Sequence, residues 1–597
     1  MSVDQTYDRL YRVRHSAAHV LATAMLDLFP DAQMGIGPPT DDGFYYDFEL
    51  PRALTPDDLK ALQKLMLKHK KANYPFEYSE HDREAALAYF EETNQPFKVE
   101  LINDLPDDET ISYYTSGPFV DLCRGPHVDS TGEIGVFKLL SIAGAYWRGD
   151  ENRAQLQRVY GTAFETKDEL NAHLARLEEA KRRDHRTLAR DLDLFSINPA
   201  IGAGLVLWHA KGSLVRELLE TFWREEHRRR GYDMVYSPHI GRRELWETSG
   251  HTQWFSEGLF PEMELEHQTF INKPMNCPFH VKIFDSQTRS YRDLPLRYGE
   301  LGTVYRFERS GTLHGALRVR GLTQDDAHIF CRRDQFTDEV AGALDLAKFI
   351  YQTFGFSEYI VELSVRDASG SEKYAGDDDL WELAEQGLVE ALDRHEMAYT
   401  RVEGEAAFYG PKIDIQVADA IGRRWQLTTV QVDFNLPERF DITYEDADGT
   451  RQRPVMVHRA IFGAMERFVA VLIEHFAGAF PVWLSPVQVA VIPIADRHAD
   501  YCESVAERLR EAGLRVQVDA RAERMNRKIR DAQLQKTPYM LIAGDRDIKA
   551  GKVSVRLRTE EDLGAMTVDE LLEAVLPVVE SRAPHDLGLG SPSAAGG

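Results

Sequence analysis

Cysteine is scarce in this 597-residue chain, and its four thiols, Cys123, Cys277, Cys331 and Cys502, are spaced too widely for a disulfide framework. The opening MSVDQTYDRLYRVRH has no apolar signal core, and no stretch approaches the ~18 consecutive apolar residues that a membrane span needs. A cytoplasmic, reduced protein with no membrane partner is the expectation. Excess positive charge is also missing. The 71 basic residues face 97 acidic ones, a formal net charge of −26 that favours solubility and by itself speaks against a nucleic-acid partner, unless local basic faces override it. What the chain does have is length, enough for three or four domains with separate cores.

The chemistry concentrates between Leu301 and Cys331, LGTVYRFERSGTLHGALRVRGLTQDDAHIFC, which reads as two strands joined by a long polar loop. Alternation from Val304 to Glu308 sets Arg306 and Glu308 on one face of the outgoing strand. Arg318, Gln324, Asp326 and His328, at even spacing, share a face of the return strand. Guanidinium forks suit phosphate oxygens, and carboxylates suit a cation, an amine or an adenine edge, so the pair reads as a ligand-binding floor. A surface ion-pair ladder is the plainer alternative.

Two more pairs lie nearer the amino terminus. HSAAHVLATAMLDLF places His15 and His19 four apart on a helix whose apolar residues recur at Val20, Leu21, Met25 and Leu28, so the imidazoles stack on one face. A glycine-rich turn into a strand, a helical hairpin over Thr55 to Lys71 and a mixed α/β run then lead to SGPFVDLCRGPHV, where Cys123 and His127 are again four apart. HxxxH with CxxxH offers four donors, which suits either a tetrahedral zinc site or a metal-free one.

Lys167 to Leu194 is expected to be a charged linker helix, with Leu170, Leu174 and Leu177 at helical spacing. An amphipathic helix follows from Lys211 to Arg230, its stripe of Leu214, Leu218 and Phe222 suited to core or to a dimer face, and Pro238 closes the short strand YDMVYSPHI. FINKPMNCPFH sets Cys277 in a proline-flanked turn with the thiol presented outward. AAFYGPKIDIQV and RRWQLTTVQVDF resume the sheet. VMVHRAIFGAMERFVAVLIEHF reads as a strand end and a helix that buries Phe462, Met465, Phe468 and Val469, while Arg467 points at the ligand face, a costly cation unless an anion meets it. From WLSPVQVAVIPI a small, largely parallel α/β domain begins, with helices over Tyr501 to Ala512 and Ala522 to Gln533. Arg521, Arg524, Arg527, Lys528 and Arg530 mark its nucleic-acid face. The closing SPSAAGG has no periodicity and is expected to be disordered.

Placed together, these pieces resemble the threonyl-tRNA synthetases, a family of class II aminoacyl-tRNA synthetases, over nearly the whole chain. TVYRFERSGTLHGALRVRGLTQDDAHIF resembles the family's motif 2, HRAIFGAMERF its motif 3, and the helix ending in YSPHI its motif 1, with Pro238 as the dimer-interface proline. MNCPFH, FYGPKID and WQLTTVQVDF are further marks, and HSAAHVL with DLCRGPHV mark the amino-terminal editing domain. The resemblance implies an α/β multidomain protein: an α+β editing domain over 1–166, a linker helix over 167–194, a class II catalytic domain with an antiparallel sheet and helices over 195–482, an α/β anticodon-binding domain over 483–585 and a tail over 586–597. It further implies ATP-dependent attachment of L-threonine to tRNA(Thr) through the adenylate, editing of mischarged seryl-tRNA(Thr), and a homodimer formed through motif 1.

Residue by residue, the resemblance implies Cys277, His328 and His458 as ligands of one zinc ion per chain. Arg306 would hold the ATP α-phosphate with Glu308 near the adenine, Arg467 the γ-phosphate end, and Arg318 the triphosphate or its magnesium. Gln324, Asp326, Tyr409, Lys412, Gln426 and Gln431 would line the pocket for threonine, the adenylate and the terminal adenosine of the tRNA. His15, His19, Cys123 and His127, with Lys98 and Asp121, would hold that adenosine and place the attacking water in an editing site that the family runs without metal. Arg556 and Asp547 are candidates for reading anticodon bases. Two departures stand out. Bacterial members usually begin with a small ubiquitin-like domain, for which His15 lies too close to Met1, and motif 3 carries a serine where this chain has Ala464. A non-catalytic paralogue and a metallohydrolase built on HxxxH and CxxxH are the alternatives; the first tends to lose the arginines and metal ligands kept here, and the second accounts only for the amino-terminal part.

Overall fold

The computed structural model describes residues 8–150, 152–367, 374–375, 377–418, 422–585 and 587–588. Leu587 and Gly588 apart, the tail expected at 586–597 lies outside them. The chain folds as two units, Met1–Glu178 and Glu179–Gly597, with the division inside the helix Lys167–Arg183.

In the first unit the side chain of Asp8 accepts the amide of Tyr11 and starts the helix Arg9–Leu28. Val13, Ala17, Leu21 and Met25, four apart along it, are fully buried, and Phe44, Tyr46 and Phe48 alternate into the same core from the strand Gly43–Glu49. That strand sits in an antiparallel sheet with Gln33–Met34, Gln155–Phe164 and Val136–Tyr146. A three-stranded sheet, Glu77–His81, Ile111–Ser116 and Phe119–Leu122, carries Asp121 and leads directly into Cys123. The hairpin expected over Thr55 to Lys71 is one helix, Pro56–Ala72, because Thr55 and Asp58 form a capping box and no breaker follows.

The expected linker helix is two helices, Lys167–Arg183 and His185–Asp191. Asp184 leaves helical geometry at φ −50°, ψ 118°, and its carboxylate accepts the amide of Arg186 at 2.8 Å, so it ends one helix and caps the next.

The second unit is built on an eight-stranded sheet in the order Asp233–Met234, Leu296–Tyr305, Gly321–Cys331, Val455–Ala464, Arg424–Asp433, Lys412–Ala418, Tyr359–Val365, Tyr399–Glu403. The outermost pair at each end is parallel and the rest are antiparallel. The helices Ala210–Arg229 and Phe336–Thr353 pack against one face, and the opposite face stays open. The buried stripe of Ala210–Arg229 is Val215, Leu219, Phe222 and Trp223; Leu214 and Leu218 are only half-buried, one residue off the expected stripe. Cys277 is not in an outward turn. It opens the helix Cys277–Asp285, where Pro278 suits the first turn, and it is buried.

The carboxyl-terminal sheet runs Val516–Val518, Val489–Pro493, Tyr539–Ala543, Val553–Leu557, Asp562–Met566, with its first three strands parallel and the last two antiparallel. The helix expected at Ala522 to Gln533 spans Met525–Leu534, and its Lys528 is buried with Nζ on Pro493 O at 3.3 Å, so it leaves the expected basic face. Arg521 on that face is already paired with Asp519 and Asp531.

One buried carboxylate ties the eight-stranded sheet together. Between Gln324 and Asp326 the register against Val455–Ala464 jumps from Ala464 to Ala460, a bulge that frees the amides of Ile461, Phe462 and Gly463. All three donate to Asp325 at 2.9–3.1 Å, and Trp223 Nε1–H donates to it at 3.1 Å. Burial pushes this carboxyl up to about 6, while the donors converging on it favour its ionised form. Asp325→Asn turns one acceptor oxygen into a donor facing donors. Its expected cost is ~1–3 kcal/mol per stranded group, read as a lower urea midpoint for the loss of tertiary signal; an unchanged midpoint would show that the carboxylate does not hold the bulge.

Candidate functional site

The open face of the sheet forms the floor of a cavity of about 380 Å³. Eleven of the expected residues line it: Cys277, Arg306, Gln324, Asp326, His328, Tyr409, Lys412, Gln426, Gln431, His458 and Arg467. Ala464 lines it as well. Glu308 and Arg318 do not. The outgoing strand ends at Tyr305 and the return strand starts only at Gly321, so period-2 alternation does not reach them, and they pair with each other at 2.9 Å. Arg306 donates Nε to Pro274 O at 3.2 Å, and Arg467 donates to Leu317 O and Gln426 O at 3.0 and 3.1 Å. Neither has an ion-pair partner within 4.0 Å among the described residues. Burial lowers the pKa of both, and for Arg467 the nearby Arg306 adds to that. Two partly desolvated guanidiniums held close together are a receptor for a polyanion.

At the cavity's inner end one donor atom from each of Cys277, His328 and His458 lies within 4.8 Å of the others. The imidazoles are oriented from behind. His458 Nε2 meets Asp433 Oδ2 at 2.8 Å, and His328 Nδ1 meets His280 Nδ1 at 2.8 Å, leaving His458 Nδ1 and His328 Nε2 as the nitrogens not taken by these partners, the latter 3.7 Å from Asp326 Oδ1. Burial keeps His328 well below its usual range and pushes the Cys277 thiol well above its own. Two imidazoles and a thiol whose proton a cation would displace fit a borderline-soft ion such as zinc.

The remaining floor is cross-braced. Asp414, which sequence reading passed over, accepts Lys412 Nζ at 2.6 Å, Gln426 Nε2 at 2.5 Å and Thr429 Oγ1 at 2.8 Å. Tyr409 donates to Gln431 Oε1 at 2.6 Å, and Asn276 Nδ2 to Asp326 Oδ2 at 3.0 Å. Asp414 and Asp433 stand two residues from Lys412 and Gln431, so strand alternation was the signal that pointed to them.

The first unit brings its own six expected residues together. Cys123 Sγ lies 3.4 Å from His15 Nε2 and 3.3 Å from His127 Nε2, and a donor atom of His19 completes a set of four within 4.8 Å. Next to them Lys98 Nζ meets Asp121 at 2.6 Å, Tyr46 OH donates to the other carboxylate oxygen at 2.6 Å, and His19 Nε2 is 3.6 Å from it. Tyr46, fully buried, was missed because a tyrosine in an apolar strand carries no signal of its own. Burial lowers His15 to about 4 and His19 to about 3, and raises the Cys123 thiol to about 12. At neutral pH the cluster is therefore uncharged beside a self-compensating Lys98–Asp121 pair. In the carboxyl-terminal sheet Arg556 lies on Val553–Leu557, while Asp547 accepts the Gly544 amide and the Ser554 hydroxyl, both at 2.9 Å.

Three family profiles match the chain: tRNA synthetase class II core domain (G, H, P, S and T) over 262–476, Anticodon binding domain over 488–577, and Threonyl and Alanyl tRNA synthetase second additional domain over 111–160. A threonine--tRNA ligase of Acidobacterium capsulatum is 53% identical over 572 residues, 96% of this chain and 84% of that protein. One from Dehalococcoides mccartyi is 54% identical over 547 residues, 92% of this chain and 93% of its own. The chain belongs to the threonine--tRNA ligase family. Among solved structures, the RNA binding domain of threonyl-tRNA synthetase from Cryptosporidium parvum Iowa II superposes with TM-score 0.63 at 38% identity, covering 69% of this chain and 99% of that one. A putative threonyl-tRNA synthetase from Aeropyrum pernix gives 0.60 at 30%, covering 68% and 98%. The class II core profile spans the residues that line the cavity, and the second additional domain profile spans Asp121, Cys123 and His127, with His15, His19 and Lys98 outside it. No described helix is long and apolar enough to cross a membrane.

Proposed function

We propose that the cavity on the catalytic sheet activates threonine with ATP and transfers it to tRNA(Thr), and that the first unit's cluster hydrolyses serine attached in error. What carries the first half is the pairing of an arginine receptor with a set of three soft donors in one cavity. A carboxylate oxygen of threonine attacks the α-phosphorus of ATP, the bond to the bridging oxygen breaks, and pyrophosphate leaves. A ribose hydroxyl of the terminal adenosine then attacks the activated carbonyl and AMP leaves. Arg306 takes the α-phosphate and Arg467 the γ end; magnesium arrives with ATP. Arg318 and Glu308, paired at the rim, would part to meet the triphosphate and the adenine. Gln324, Asp326, Tyr409, Lys412, Gln426 and Gln431 position the amino acid and the terminal adenosine. Bound by Cys277, His328 and His458, zinc would supply an open position for the threonine amine and hydroxyl. The domain limits proposed are 1–166, 167–194, 195–482 and 483–585, with a second copy docked through motif 1, Arg556 and Asp547 on the anticodon, and the cytoplasm as location.

Serine differs from threonine by one methyl, which binding discriminates by only about 10- to 200-fold, so a second, hydrolytic site is physically motivated. A cluster of neutral histidines can accept a proton from water, and the Lys98–Asp121–Tyr46 set places a carboxylate oxygen 3.6 Å from His19 Nε2.

Threonine-dependent ATP–pyrophosphate exchange tests the synthetic reading directly, and its absence in purified protein would refute it. Metal analysis should find one zinc per chain, lost in Cys277→Ala. A zinc content unchanged by that substitution would remove Cys277 from the ligand set, and two ions per chain would put the second at His15, His19, Cys123 and His127.

Ala464→Ser restores a hydroxyl at the cavity wall. One added hydrogen bond, about 0.5–1.5 kcal/mol, should lower the apparent threonine KM by up to ~tenfold. If KM stays where it is, that position makes no substrate contact here.

The double variant His15→Ala, His19→Ala should lose release of serine from pre-charged tRNA while threonine charging continues. Persistent deacylation would place the hydrolytic site elsewhere.

A further inference from the structure

Behind the three soft donors runs a buried chain of hydrogen bonds that none of the roles above uses. It starts where Lys273 Nζ donates to Ser237 Oγ at 2.7 Å. The Ser237 amide donates to Glu300 Oε1 at 2.8 Å and its hydroxyl to Oε2 at 2.9 Å. Glu300 Oε2 also meets His280 Nε2 at 2.9 Å, and His280 Nδ1 meets His328 Nδ1 at 2.8 Å. Lys273, His280, Glu300 and His328 are all buried, and Ser237 is half-buried.

Every group that reaches Glu300 is a donor, so its carboxylate only accepts. Lys273 Nζ, 3.6 Å from Glu300 Oε1, already balances the carboxylate, so His280 needs only one proton, on Nε2, and presents a lone pair at Nδ1. His328 then carries its proton on Nδ1 and its lone pair on Nε2, the ring nitrogen left for the donor set with Cys277 and His458; Asp326 Oδ1, 3.7 Å away, is beyond hydrogen-bond reach of it. We infer that Glu300 and His280 are positioning residues that fix the ligating tautomer of His328, a role that rests on the zinc reading above. Neither touches substrate, and each acts through the next ring.

Glu300→Gln has nearly the same shape and the opposite logic. The Ser237 amide cannot turn round, so the glutamine carbonyl must stay on it and the NH₂ faces His280. His280 then keeps its proton on Nδ1, His328 accepts there, and the N–H of His328 Nε2 points at the metal position. Turning the amide over instead strands the buried Ser237 amide. His280→Asn offers His328 an acceptor in place of Nδ1 but is too short to reach Glu300, and so cuts the chain.

The test is a zinc dissociation constant from chelator competition on purified, refilled full-length protein, with thermal midpoints recorded alongside. Glu300→Gln should weaken zinc by about 10- to 100-fold. In the His280→Asn background the same Glu300→Gln change should add little, because the inversion has no path to His328. Should Glu300→Gln not fold, His280→Leu against His280→Asn gives the same decision: Leu leaves the Nδ1–H of His328 without an acceptor and should lose zinc affinity, while Asn should keep most of it. Wild-type zinc affinity in Glu300→Gln, equal losses in both backgrounds, or equal affinity of the Leu and Asn variants overturns the tautomer chain alone. A wild-type protein that holds no zinc at Cys277 overturns the zinc reading together with it.

Discussion

The catalytic unit hangs on the carboxylate of Asp325. Three segments far apart in sequence meet on it: the helix Ala210–Arg229 through Trp223, the strand Gly321–Cys331 that bears it, and the bulge at Ile461–Gly463. A second clamp repeats the pattern one turn away. Glu466 accepts the Thr323 amide at 2.9 Å and meets Arg216 at 3.3 Å, while Arg216 also reaches the Thr323 hydroxyl at 2.9 Å. Because the bulge lies immediately before the helix Met465–His475, the two clamps set where that helix starts, and with it the direction in which Arg467 leaves. Burying two carboxylates is costly alone, but each here is saturated by donors that the bulge or the helix would otherwise leave unpaired.

The two donor clusters show how different surroundings set similar residues to different work. In the catalytic cavity the histidines are turned by partners outside the donor set, Asp433 and His280, so their lone pairs converge on open space. In the first unit the thiol of Cys123 already lies against His15 and His127, and the nearest carboxylate, Asp121, is taken by Lys98 and Tyr46. Burial holds His15, His19 and His127 in the first cluster, and His328 in the second, below the usual imidazole range. The cavity's donor set sits beside two guanidiniums without an ion-pair partner within 4.0 Å among the described residues, an arrangement that suits a polyanion such as a triphosphate.

Much of this was legible in the sequence, and the failures have physical causes. The two strands around the 306–320 loop, the resumed sheet at Lys412 and Arg424, and the inward set Phe462, Met465, Phe468 and Val469 follow from alternation and helical spacing alone. Alternation misplaced Glu308 and Arg318 because the chain leaves the sheet at Tyr305, where Phe307 N turns to Gly258 O, a contact across 49 residues that no local pattern announces. The stripe Leu214, Leu218 was chosen over Val215, Leu219 because both sets are apolar; only the position of the sheet decides which faces in. Lys528 looked like part of a basic face, yet its stem runs inward to Pro493 O. His280, three residues after Cys277 in MNCPFH, was visible, but its partner Glu300 becomes meaningful only when helix and strand are packed together.

The net charge of −26 is the composition feature that misled most, since it speaks against a nucleic-acid partner and the chain belongs to a tRNA ligase family. Total charge counts residues wherever they sit, while a polyanion responds to what lies within about 8 Å at physiological salt. Many carboxylates here are already spent. Asp325 and Glu466 are buried behind the floor, Glu300, Asp433 and Asp414 are buried beside its lining residues, all five accept from donors, and acids such as Asp184, Asp519 and Asp545 are paired to arginines. In front of the floor stand Arg306 and Arg467, and at its rim Arg318. The fold places its negative charge where it orients side chains and its positive charge where substrate enters, and a sum over the sequence cancels the two.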